Sequence, residues 1–194
     1  MSYQPIQPPF ILKFREMSKK ELKEYFDWFL EVLPQRLDGL ADAVKQLPEF
    51  ASWQSDFSPA SLDYLGEWFA SQVETRPRTS DEIEEIESRS LYPIEVPSTD
   101  LTNRTFSLAM DVGMYLSQVF LKNHPSLRWE QTFGSKKFVD YGQPVLTGFG
   151  AVPFNPIRML VTFAYGVASK KESGKGLHEL YLIWSKFIGG RSQI

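Results

Sequence analysis

The spacing of apolar residues changes period once along this chain, and that change limits what the chain can fold into. Up to Leu121 the large apolar side chains recur at helical steps, each run offering one face to a core. After His124-Pro125 the pattern alternates. Leu127, Trp129, Gln131 and Phe133 fall on one side, and Arg128, Glu130 and Thr132 on the other, which is strand behaviour. Helical spacing then returns through Leu177, Leu180, Tyr181, Trp184 and Phe187. The chain is therefore expected to be α+β: N-terminal helices packed with a small antiparallel β-meander and C-terminal helices.

Local signals place the elements. Residues 1–16, with Pro5, Pro8 and Pro9, read as an extended arm. Ser18-Lys-Lys-Glu21 is a capping box, and Met17 is set to staple onto Leu22. Leu22, Tyr25, Phe26, Phe29, Leu30 and Leu33 form the apolar face of the helix that follows. Pro34 should break it, yet Leu37, Leu40, Val44 and Leu47 stay in phase, so a kinked helix and two abutting helices both fit. Ser58-Pro59 opens a second helix, in which Gly66 is a local cost that permits close helix approach. Thr79-Ser-Asp-Glu82 is another capping box, heading the acidic run Asp81–Glu87. Few apolar residues anchor 75–100, which reads as a mobile acidic connection within a single domain spanning 1–194.

Thr102 caps a long helix to about Leu121, with Leu108, Val112, Tyr115, Leu116 and Val119 as its buried stripe. Strands are expected at 127–133, 137–141 and 145–149. Asn155-Pro156 starts either a helix to about Ser169 or a strand, since Val161, Phe163 and Tyr165 alternate. Gly189-Gly190 ends the terminal helix.

Composition removes several kinds of chemistry. The 194 residues include no cysteine and two histidines, so there is no thiol nucleophile, disulfide or thiolate metal site. His124 and His178 have no ligand-type partner at helical spacing, and no metal or cofactor is expected. Ser173-Gly-Lys-Gly176 lacks the first glycine and the final hydroxyl of a phosphate loop, so a solvated turn is favoured. No apolar run approaches the roughly 20 residues of a membrane span. The N-terminus has no signal-peptide pattern, and a cytoplasmic location is expected.

Charge is uneven. Residues 1–100 carry 10 basic and 19 acidic side chains, net −9, and residues 101–194 carry 11 and 5, net +6. Either the halves attract each other within the fold, or the acidic half faces a basic partner. Nucleic acid is not an expected partner, because the chain is acidic overall and its basic residues cluster no further than Lys136-Lys137 and Lys170-Lys171.

The candidate site centres on Asp111, at the inner margin of a buried stripe and one turn before Tyr115. A carboxylate there must be paired or hydrogen-bonded. Arg104, Ser107, Tyr115 and Arg128 are the candidate partners. Arg128 and Glu130 share a strand face opposite Trp129, and with Asp140 they form a mixed-charge surface suited to recognition. The binding set is thus Asp111, Tyr115, Arg128, Glu130 and Asp140; a carboxylate-dependent hydrolase would use Asp111 with Glu130 or Asp140.

Two stretches, Tyr25-Phe-Asp-Trp-Phe29 with Leu62–Phe69, and Asp111-Val-Gly-Met-Tyr-Leu116 with Leu127-Arg-Trp129 and Gly142-Gln-Pro-Val145, are similar to small uncharacterised bacterial proteins, a domain-of-unknown-function family. The resemblance implies a whole-chain α+β domain from a bacterium and assigns no activity. The expected function is a soluble, non-enzymatic binding protein, immunity-type or regulatory, that meets a basic partner through its acidic surface.

Overall fold

The helix Asn103–Asn123 has 14 of its 21 residues buried, and the rest of the chain is arranged around it. A computed structural model describes residues 3–189. In chain order the elements are α1 (Lys19–Lys45), a 3₁₀ turn (Pro48–Phe50), α2 (Ser61–Gln72), β1 (Thr75–Pro77), α3 (Ser80–Arg89), β2 (Thr99–Leu101), α4 (Asn103–Asn123), β3 (Arg128–Gln131), β4 (Pro144–Thr147), α5 (Pro156–Ala168) and α6 (Gly176–Ser185). The fold is α+β, about half helical, with two antiparallel pairs of short strands. No helix among the described residues is long and apolar enough to cross a membrane.

One apolar cluster joins Phe29, Leu33, Leu40 and Val44 of α1 to Leu62, Leu65, Trp68 and Phe69 of α2. It continues through the α4 stripe to Leu160 and Phe163 of α5 and Leu177 and Tyr181 of α6. Phe120 sits in its aromatic centre, with the rings of Phe149, Phe154 and Tyr181 at 5.1, 5.3 and 4.8 Å. A smaller cluster of Met17, Leu22, Tyr25 and Tyr141 receives Phe10 and Phe14 from the arm.

Four of the local start signals act as the sequence predicts, while Ser58-Pro59 forms a tight lead-in turn and α2 itself begins at Ser61, with Ala60 at its N-cap and no side-chain cap. Both capping boxes close, and Thr102 and Asn155 accept from the backbone N–H groups of Thr105 and Arg158. Asn155 with Pro156 thereby settles α5 as a helix. Pro34 does not divide α1, which runs unbroken from Lys19 to Lys45. Proline removes one N–H and frees the Leu30 carbonyl. Both residues lie on the exposed side, where the carbonyl faces solvent and need not be satisfied within the protein.

The sheet region differs from a three-stranded meander. β3 pairs directly with β4, Arg128 opposite Thr147 and Gln131 opposite Pro144, and 137–141 coils in turns between them. Its middle cannot extend, because Asp140 is drawn inward to Arg158 and Tyr141 is packed on Leu22 and Tyr25.

Segment 75–101 carries more structure than its composition suggests. β1 and β2 pair antiparallel, Arg76 opposite Asp100, and close the two ends of the segment on each other. Arg78 reaches Asp100 at 2.9 Å, and the Tyr165 hydroxyl of α5 donates to the same carboxylate at 2.6 Å. Between the strands stands α3, none of whose residues is buried.

Candidate functional site

Asp111 is fully buried, as its spacing predicts, but its partner comes from α1. Arg36 grips the carboxylate as a fork, Nε to Oδ1 at 2.8 Å and Nη2 to Oδ2 at 2.6 Å. The arm completes the cluster. Tyr3 donates its phenol to Asp111 and lies 2.8 Å from Ser107 Oγ, which also accepts from the Ile6 N–H at 2.6 Å. Arg36 holds the Gln4 carbonyl at 3.0 Å, and the Arg36 and Arg104 guanidiniums lie over the Tyr3 ring. Burial pushes the Asp111 carboxyl above the usual carboxylate range, against the pull of Arg36 and Tyr3. Burial and the adjacent Asp111 likewise push the Tyr3 phenol far up. With both oxygens engaged by donors, Asp111 fastens the arm and α1 to α4 and offers no free oxygen for proton transfer.

The other expected site residues occupy separate settings. Tyr115 is one turn away, yet its hydroxyl bonds Ser61 Oγ at 2.8 Å and accepts from the Phe57 N–H at 3.1 Å, latching the approach to α2. Arg128 and Glu130 pair with each other on β3, while Trp129 turns inward against Phe29. Asp140 does not join them. It is buried, held by Arg158 at 2.8 and 3.1 Å and by Asn155 at 2.9 Å. The mixed-charge face expected from Arg128, Glu130 and Asp140 therefore reduces to one exposed ion pair. Asp111, Glu130 and Asp140 share no partner, and each is bonded to its own arginine. Among the described residues, no group of three or more His, Asp or Glu side chains is placed to hold a metal ion.

Sequence reasoning missed Arg36, although a signal was present. It falls in step with Phe29, Leu33 and Leu40 on the inner side of α1, and a charge in an apolar stripe calls for a buried partner. It also missed His178 with Asp63, which are 115 positions apart. Packing of α6 on α2 brings His178 Nδ1 to 2.7 Å from Asp63. The pair lines an open pocket of about 420 Å³ with Tyr64, Glu67, Lys175 and Leu182.

Acidic charge is concentrated on α3. Of the acids in the first hundred residues, only Asp63 and Glu74 form ion pairs with the second half of the chain among the described residues, through His178 and Arg104. The negative half is thus not consumed by the positive one. Glu82 is not free: Arg76 binds it with two N–H donors at 2.6 and 2.9 Å, and it caps Thr79. Arg76 and the Thr79 N–H hold its carboxyl down at about 2, from an ordinary 4.5. A depressed carboxyl contributes stability above its unfolded pKa and loses it as pH falls through its folded one. The α3 cap should therefore hold above pH 4.5 and weaken toward pH 2. A carboxyl-resolved NMR titration checks this, and a Glu82 midpoint near 4.5 would contradict the Arg76 contact. Asp81, Glu84 and Glu87 remain exposed, and Leu91 and Tyr92 just beyond α3 are 93% and 77% exposed.

Comparison with known proteins finds no matching family model, curated protein or solved structure. The functional reading rests on the chain's own geometry.

Proposed function

We propose that this is a non-enzymatic binding protein that engages a basic partner through α3 and the segment following it. The observation that carries this reading is a ten-residue helix with five acidic side chains and no buried residue, followed by the exposed pair Leu91 and Tyr92. Acidic side chains steer a basic surface during encounter, and an apolar pair supplies contact area once docked. Closure of the segment by β1 and β2 holds α3 outward on a fixed base, so little ordering cost remains for binding. The fork-held carboxylates of Asp111 and Asp140 support binding over hydrolysis. An immunity-type or regulatory protein of the bacterial cytoplasm, covering a basic surface on its target, is the form this function takes.

A cationic helical peptide with a leucine face serves as the probe, followed by stopped-flow fluorescence. Its association rate should fall about tenfold between low and high salt. The combined variant Asp81→Asn, Glu84→Gln and Glu87→Gln should slow association comparably without lowering the melting temperature. Leu91→Ser with Tyr92→Ser should instead speed dissociation. Binding that ignores salt and both variants would show that α3 is not the docking element.

A further inference from the structure

Helix α6 is apolar on two sides. Its inner face, Leu177, Tyr181 and Trp184, packs into the core. On the outside, Leu182, Ile183 and Phe187 are 51, 52 and 53% exposed, Phe187 on the turn that continues the helix past Ser185. A helix that is apolar all round is ordinarily covered all round, and adjacent exposed apolar side chains mark a contact surface. The charges framing this stripe indicate what covers it. Glu179 lies one turn before Leu182 and Lys186 one turn after, both exposed and neither in an ion pair within the described residues.

We propose that the α6 stripe pairs antiparallel with the same stripe of a second copy, about a two-fold axis between Leu182 and Ile183. That axis carries position 179 onto 186 and position 178 onto 187. Glu179 then faces the partner's Lys186 at both ends, and Leu182 packs beside the partner's Ile183. Phe187 is set over the partner's His178, whose ring is steadied by Asp63 at 2.7 Å beside the 420 Å³ pocket. A pocket of that volume has ample room for a phenyl ring. A parallel pairing would oppose Glu179 to itself and Lys186 to itself, so the charges select the antiparallel form. The charges bordering this face are of both signs, Asp63, Glu67 and Glu179 with Lys175 and Lys186, as a self-complementary contact requires. The arrangement is isologous, each copy giving and receiving the same contacts. One short helix and its rim place it at the small end of interface sizes, so the dimer is weak and reversible. It lies apart from α3, and its test fails or succeeds independently of the binding reading.

Sedimentation of the full chain from about 1 µM to about 1 mM tests the pairing. The expected result is a monomer–dimer equilibrium within that range. Ile183→Asp should weaken it about tenfold or more by placing a charge at the axis. Glu179→Lys alone and Lys186→Glu alone should each weaken it about fivefold, and the two together should restore it, since reversing both charges re-creates the complement. All three positions are exposed, so melting temperatures should stay near that of the unsubstituted chain. A chain that remains monomeric throughout, a dimer indifferent to Ile183→Asp, or a double variant no better than the single ones would each overturn the pairing.

Discussion

Asp111→Ala is expected to cost about 3 kcal/mol or more of folding stability, because removing one member of a buried ion pair strands the other. Arg36 would keep its charge at a site only 16% exposed, with no carboxylate to answer it. Tyr3 would lose the acceptor that seats its phenol, and with it the arm would lose its inner anchor. Two readouts should therefore move together: denaturant unfolding shifts to lower midpoint, and trypsin cuts after Lys13 and Arg15 more readily. Tyr3→Phe separates the two. It removes the phenol but leaves the fork, so it should loosen the arm while costing only about 1 kcal/mol. If Asp111→Ala unfolds like the unsubstituted protein, the network does not fasten α1 to α4.

The same network shows which parts of the molecule the sequence reveals. Burial of Asp111 follows from the helical spacing of Leu108, Val112 and Tyr115, a repeat set by local geometry. The helix starts at Ser18, Thr79, Thr102 and Asn155 are legible for the same reason, since each cap bonds residues three positions away. Long-range partners are less legible. Arg36 betrays itself by sitting in an apolar stripe, but which carboxylate it meets depends on how α1 crosses α4. Nothing local marks Tyr3, whose docking 108 positions from Asp111 is a tertiary event. Asp140 misleads for a related reason. Its neighbours Phe138, Val139 and Tyr141 suggest a strand, and its bond to Arg158 on α5 overrides them. The strands bracketing α3 are three residues each, too short to leave a periodic trace, so composition alone describes that segment as unanchored.

Gly66→Ala should be among the most costly single-methyl additions in the chain, at about 3 kcal/mol, the upper part of the range for overpacking. A Cβ at Gly66 would stand 2.1 Å from the Gly174 carbonyl oxygen and 3.0 Å from Leu177 Cβ. From the other side, a Cβ at Gly174 would meet the Glu67 backbone at 2.4 Å. The obstacles include main chain on both sides, so no rotamer change makes room and α2 must part from the start of α6. That separation would thin the packing of Leu65 and Phe69 near Leu177 and pull Asp63 away from His178. The gain of about 1 kcal/mol from replacing a helical glycine is too small to offset it. The glycines of Ser173-Gly-Lys-Gly176 thus serve close packing, which accounts for a glycine-rich loop that lacks the residues of a phosphate site. Gly39→Ala is the matched control: it lies exposed within α1 with nothing within 4 Å of its would-be Cβ. There the same substitution should stabilise by about 0.5–1 kcal/mol, because only the helical preference acts. Opposite signs in thermal unfolding are the expected outcome. A Gly66→Ala chain as stable as the unsubstituted one, or more so, would mean that the α2–α6 contact yields under load, and the close approach of Gly66 to Gly174 would then not be what fixes the pocket between those helices.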